Sequence, residues 1–238
     1  MLLSLLTSRS NPTDIIVSVI LALPMIILAL SLHETAHGYV AWKCGDPTAR
    51  NLGRLTLDPR KHLDLMGTIC MLLVGFGWAK PVPINSRYFR KPKRDMALTA
   101  IAGPAANLLL GLIFAVLFGC FWALYVYSPL LNIPEFFTKV LYWGIQLFSI
   151  GAQMNFFLMV FNLLPVPPFD GSRVALAVLP TKQYFAVMRY ERQIMLGVLV
   201  ALLVLSYVFN FSPFSWVANQ LTNLVATPVA NLIASLIV

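Results

Sequence analysis

The sequence predicts an all-α membrane protein: a polytopic helical bundle of about five or six membrane segments, with a short re-entrant extended segment near residues 66–85. Three observations carry that expectation. The first is composition. Of 238 residues, 59% are hydrophobic and 11% charged, and the mean hydropathy is +0.79. Soluble domains carry about 25% charged residues, so a core of this size cannot hide that much apolar surface from water and lipid must solvate much of it. The second is the recurrence of apolar stretches long enough to cross a bilayer. The third is the collection of basic residues into two intervals.

The first long stretch runs from about Ile15 to Trp42, broken only by Pro24 and by a cluster of ionisable residues. At roughly 20 residues per crossing it spans as a helix. The next apolar piece, Met66 to Trp78, is too short to span and runs into Ala79-Lys80-Pro81-Val82-Pro83-Ile84-Asn85. Proline alternation there denies a helix and predicts an extended edge or bend. Further stretches cover about Ala97 to Tyr127, Val140 to Leu164 and Ile194 to Phe211. The tail, Phe214 to Val238, is apolar but dotted with Asn219, Asn223 and Asn231, and is compatible with a span or with an interfacial helix. The start, Met1 to Leu6, is apolar but short and lacks a basic leader, so no cleavable signal is expected. With no repeat and no linker, residues 1–238 are expected to form a single membrane-embedded domain.

Charge orients the bundle. Eleven of the 17 Lys and Arg lie between Lys43 and Arg94, four more between Arg173 and Arg192, and only Arg9 and Lys139 elsewhere. Basic loops stay cytoplasmic, which puts both intervals inside and the N-terminus outside. The stretch 66–85 then enters and leaves on one side, and non-helical backbone at that depth is tolerated only against protein or a water cavity. The net charge of +8 belongs to these loops; the aromatic interleaving of a nucleic-acid platform is missing, so no nucleic acid is expected as a partner. Cys44, Cys70 and Cys120 are scattered, which excludes a disulfide framework or cysteine metal site.

The ionisable cluster is His33-Glu34-Thr35-Ala36-His37. Two histidines four apart share one helix face and can share one ion, and Glu34 beside them can act on a metal-activated water. This is the HExxH arrangement of zinc hydrolases. Two of only three histidines fall at this spacing around a glutamate, inside an apolar helix where ionisable groups are costly and functional. A catalytic zinc needs a third protein ligand and an open position. Asp46, Asp58, Asp64, Asp95 and Glu191 lie in the basic intervals and are read as solvated or ion-paired. Asp14 and Glu135 lie at the outer ends of their helices. Asp170 follows the uncharged Asn162-Leu163-Leu164-Pro165-Val166-Pro167-Pro168-Phe169, precedes Gly171, and returns to the side of His37. It is favoured over His62, which is read as a polar loop residue or a partner of a ligand.

Three motifs now resemble the site-2 protease family of intramembrane zinc metalloproteases: His33 to His37, Gly103-Pro104-Ala105-Ala106-Asn107 as its GPxxN element, and Asn162 to Gly171 as its NxxPxPxxDG element. Their order matches too, from about Ile15 to Phe211. The resemblance implies one Zn(2+) per chain held by His33, His37 and Asp170, with Glu34 as general base and later proton donor. It implies that Asn162 binds substrate or the oxyanion, and allows Asn107 a similar place beside the metal or a role as interhelical glue. It implies an endopeptidase that cuts within or near transmembrane helices of membrane-anchored proteins, in regulated proteolysis or the clearance of signal-peptide remnants. The location is then the cell membrane, multi-pass, with the site near the cytoplasmic side. The Gly77 to Pro83 stretch resembles the re-entrant strand of compact members and could pair with an unwound substrate. The length leaves no room for a PDZ domain or CBS pair, and Ser172 stands where some members have a second glycine. The competing classes are a transporter, which would show inverted repeats or paired broken helices, and a non-catalytic metal-binding scaffold, which would not need Glu34.

Overall fold

The computed structural model describes residues 12–74, 79–180, 183, 186, 189–208 and 213–237. Met1 to Leu6, Gly77 and Trp78 of the re-entrant stretch, and the end of the fifth stretch at 209–211 lie outside the described residues. The elements are α1 (Pro12–Lys43), α2 (Thr48–Asn51), α3 (Pro59–His62), α4 (Leu65–Val74), a 3-10 turn at Ser86–Tyr88, α5 (Pro92–Val126), α6 (Glu135–Asn162), α7 (Asp170–Val178), α8 (Glu191–Val208) and α9 (Pro213–Ile237). Among the described residues the only β pairing is an isolated antiparallel bridge, Leu63 to Ala79.

Four helices are long and apolar enough to cross a membrane: α1 from Ile16, α5, α6 and α9. The fifth predicted stretch coincides with α8, whose 18 residues cover about 27 Å at 1.5 Å per residue. The tail is a helix that runs along the bundle. Near its start Phe214 meets Phe157 and Phe161 of α6. Three turns later Ala226 lies where a side chain on Gly119 of α5 would strike it. Ala218, Thr222 and Ala226 form its buried face, and the asparagines 219, 223 and 231 face outward.

Helix α5 is the hub, packing against α1, α6, α7 and α9. Its buried residues include Asp95, Thr99, Gly103, Asn107, Gly111, Ala115, Gly119 and Ala123, a row at every fourth position composed of small or polar side chains. Small residues let helices approach closely where lipid offers no competing hydrophobic drive. A row at this spacing drifts by about 40° per step around a 3.6-residue helix, so it turns past successive neighbours. Gly103 faces the histidines of α1, Gly111 takes the ring of Phe156 from α6, and Gly119 takes α9. Met25, Phe114, Ala115, Ala152, Phe156 and Ala218 close the apolar core between these helices. Phe157 and Phe161 stack on each other and meet Phe214 edge-to-face, tying α6 to α9.

The stretch 66–85 has two parts. Its apolar half belongs to α4, ten residues or about 15 Å long, half a hydrocarbon thickness. Its proline half is extended and clamped. The Lys80 amide donates to His62 O at 2.8 Å, Arg54 Nη2 donates to Lys80 O at 2.7 Å, and the Asn85 amide donates to Asp46 Oδ2 at 2.6 Å. Asp46 also accepts from the Thr48 amide and hydroxyl. Two acids read as solvated or ion-paired are therefore corrected. Asp46 is fully buried, and Asp95 is 6% exposed, its carboxylate taking the Lys91 amide at the start of α5 at 2.7 Å. Backbone donors satisfy both, and a sequence does not display backbone donors.

Candidate metal centre

His33 and His37 lie on one face of α1, and Asp170 is the first residue of α7. Their potential ligand atoms converge. His33 Nε2 and His37 Nε2 are 3.0 Å apart, and each is 3.1 Å from Asp170 Oδ2. Both histidines are buried, and Asp170 keeps 18% of its side chain exposed. Gly171 makes the approach possible: a side chain there would overlap the carbonyl of Leu163, where the chain reverses out of α6.

The far nitrogens are both engaged. His37 Nδ1 lies 2.7 Å from the backbone carbonyl of Thr99, and His33 Nδ1 lies 2.6 Å from Asn107 Oδ1. Each partner is an acceptor, so each Nδ1 carries the proton and donates. The neutral imidazoles then turn two Nε2 lone pairs toward each other and toward a carboxylate oxygen. Three converging lone pairs about 3 Å apart repel unless a cation sits among them. Tetrahedral zinc ligands at 2.0–2.1 Å lie roughly 3.3–3.4 Å from one another, so this two-histidine, one-carboxylate set fits a zinc ion. It is the group of described residues that could hold a metal.

The other sequence-predicted residues fall in distinct places. Glu34 follows His33 on α1, and its Oε2 accepts from the Val82 amide at 2.8 Å. His62 is fully buried but stands apart from the cluster, with Nε2 2.6 Å from Thr56 O and 3.4 Å from the Thr35 hydroxyl. Asn162 is half-buried, its Nδ2 donating to Leu158 O in its own helix at 3.0 Å. Asn107 has no exposed surface. Besides meeting His33, it donates through Nδ2 to Asn155 Oδ1 at 2.9 Å and toward Ala29 O at 3.4 Å, which places it behind His33.

Sequence reasoning missed Thr99, Asn155 and the amide of Val82. Thr99 and Val82 act through backbone atoms and leave no signature. Asn155 left a weak one, an amide inside an apolar span that also carries Gln146, Gln153 and Asn162. The need for glycine at 103 also becomes physical. A Cβ there would collide with His37 Nε2 and stand 2.6 Å from the Cε1 atoms of both rings. Gly103→Ala is expected to destabilise the fold by about 1–3 kcal/mol and to weaken zinc binding at least tenfold, on the order of losing a ligand's supporting partner. Chelator competition on the purified variant measures this; wild-type zinc affinity would mean that the rings can retreat freely.

The comparisons with known proteins agree with this chemistry. The model of Peptidase family M50 matches residues 20–206. YwhC of Bacillus subtilis is 45% identical over 155 residues, covering 65% of this chain and 67% of that one. Rip2 of Mycobacterium tuberculosis Erdman is 29% identical over 178 residues, covering 68% and 62%. MJ0611 of Methanocaldococcus jannaschii is 30% identical over 110 residues, covering 46% and 49%. Each of the three is named a candidate zinc metalloprotease. The matches thus span about half to two thirds of the relatives' length. No solved structure matches the chain. With a group that could hold a metal inside a bundle of apolar helices, and matched over most of its length, this chain belongs to peptidase family M50, the site-2 family of zinc metalloproteases.

Proposed function

We propose that this protein is an intramembrane endopeptidase that hydrolyses peptide bonds within or near the transmembrane helices of membrane-anchored proteins. The observation that carries the proposal is where the ligand atoms sit. His33 and His37 are buried on a membrane-length helix, about 15 and 9 Å of helix rise before Lys43, and Asp170 joins them from the start of the short helix α7 that follows the membrane-length α6. Residues 1–238 would act as one membrane-embedded unit in the cell membrane. The basic intervals support an outside N-terminus and a site near the cytoplasmic face.

In this scheme His33, His37 and Asp170 hold the metal. Zinc, when bound, supplies Lewis acidity, lowering the pKa of water toward about 7 and polarising the scissile carbonyl. Glu34 takes the proton of the attacking water, the C–N bond breaks, and Glu34 returns the proton to the leaving amine. Its Oε1 has no hydrogen-bond partner among the described residues. Asn162 would exchange its bond to Leu158 for one to substrate or the oxyanion.

A helical substrate must unwind to expose a peptide bond, and the extended segment after Ala79 supports a pairing role with one restriction. Between Lys80 and Ile84 the only N–H belongs to Val82, and Glu34 takes it. Pairing there would rest on the carbonyls of Pro81 and Pro83 accepting from substrate amides. The test of the whole scheme is the detergent-purified protein, expected to carry one zinc per chain and to cleave a model transmembrane peptide. Chelation should stop cleavage and added zinc restore it. Bound zinc with no cleavage of any transmembrane peptide would move the assignment to a metal-binding scaffold or transporter.

A further inference from the structure

Beyond the ligands lies a second amide that no motif includes. Asn155, in the middle of α6, has no exposed surface. Its Nδ2 donates to Gly151 O at 2.8 Å, and its Oδ1 accepts from Asn107 Nδ2 at 2.9 Å. Asn107 Oδ1 in turn faces His33 Nδ1 at 2.6 Å. The direction of this chain is set from its far end. A backbone carbonyl can only accept, so Asn155 must present its NH2 to Gly151 and its oxygen to Asn107. Asn107 must then present its NH2 to Asn155 and its oxygen to His33. An oxygen at Nδ1 requires a proton on Nδ1, which leaves the His33 Nε2 lone pair facing His37 and Asp170.

We propose that Asn155 is a positioning residue for the metal centre: through Asn107 it holds His33 in the one tautomer and ring orientation that can ligate zinc. This rests on His33 being a ligand. Asn107 alone does not ensure the outcome: its other acceptor, the Ala29 carbonyl, stands at 3.4 Å against 2.9 Å for Asn155, too long to be the main hold, and a carboxamide turned by 180° offers an NH2 where it offered an oxygen. Turned that way, Asn107 would stabilise the Nε2–H tautomer, whose proton occupies the metal position. His37 needs no such device, since its Nδ1 partner is the Thr99 carbonyl, which cannot turn. The two ligands are thus oriented by different means, one by backbone and one by a two-residue amide relay across three helices.

The test uses the full chain in detergent with zinc as probe. Asn155→Leu keeps the branched shape at a somewhat larger volume and removes the acceptor. It is expected to weaken zinc binding about ten- to hundredfold, the range for losing an outer partner of a ligating histidine. Asn155→Asp retains an oxygen toward Asn107 in either protonation state and is expected to stay within about threefold of wild type. Cobalt substituted for zinc should give a weaker, shifted visible spectrum in Asn155→Leu and a near-native one in Asn155→Asp. Equal zinc affinity of wild type and Asn155→Leu would overturn the proposal, as would an Asn155→Asp as impaired as Asn155→Leu. Should Asn155→Leu not fold, the ring-nitrogen chemical shifts of His33 in metal-free wild type decide the matter. The Nδ1–H tautomer is expected, and the Nε2–H tautomer would overturn the relay. Failure of wild type to bind zinc at all would instead remove the ligand role of His33, which is a different result.

Discussion

Asp170→Ala is expected to empty the metal centre and abolish cleavage. In the native protein its Oδ2 stands 3.1 Å from both histidine Nε2 atoms and supplies the only negative charge among the three ligand atoms. Without it, two neutral imidazoles remain, and zinc affinity should fall by more than the roughly 10–100-fold that follows loss of an outer partner. The fold should survive. Asp170 starts α7 at a partly exposed position, and the turn that carries it depends on Gly171, which the substitution leaves alone. Zinc content after dialysis, read beside peptide cleavage, measures both effects. His62→Ala is the control. His62 is buried on Thr56 O, away from the ligands, so that variant should keep its zinc. Undiminished zinc in Asp170→Ala would send the third-ligand position elsewhere in the chain.

Glu34→Gln should produce the opposite pattern: full zinc and almost no turnover. Glutamine keeps an oxygen where Glu34 Oε2 accepts from Val82, so the contact with the extended segment persists and the geometry around His33 is undisturbed. What it loses is basicity. A positioned general base contributes about 10²–10⁴ in rate, and a residue that also returns the proton to the leaving amine should sit at the upper end. Stoichiometric zinc with cleavage reduced at least about a hundredfold is the expected result. Cleavage near the wild-type rate would exclude Glu34 as the proton carrier.

The grouping of His33, His37 and Asp170 was legible in the sequence where chemistry is scarce. Three histidines and nine acids in an apolar chain leave few ways to build a metal site, and the uncharged approach to Asp170 singled it out among the acids. The long helices were legible because bilayer thickness sets their length. Backbone partners were not legible. Asp46 looked like any acid in a basic loop, yet it is held by the amides of Thr48 and Asn85, which are far apart in sequence. Thr99 orients His37 through a carbonyl that every residue possesses. Position 103 could be read as an ordinary small residue at a helix crossing, but the glycine there exists to clear two imidazole rings. The asparagines of the tail left its membrane role open, because one polar face suits both a span and an interfacial helix. The structure adds that this helix is long and apolar enough to cross a membrane and packs along α5 and α6 through Ala226 and Phe214.

His33 and Glu34 are neighbours in the chain, yet they answer to different parts of the protein. His33 is held from the helices through Asn107 and Asp170, whereas Glu34 is tied to the proline segment through Val82. Inactive alleles should therefore sort into two groups. Lesions in α5, α6 or α7 would yield protein that arrives without its metal and cannot be reloaded. Lesions in the loop from Asp46 to Asn85, which clamps the proline segment, would yield protein that is loaded yet idle. Scoring inactive mutants for retained zinc would separate those groups, with the adjacent residues His33 and Glu34 falling on opposite sides.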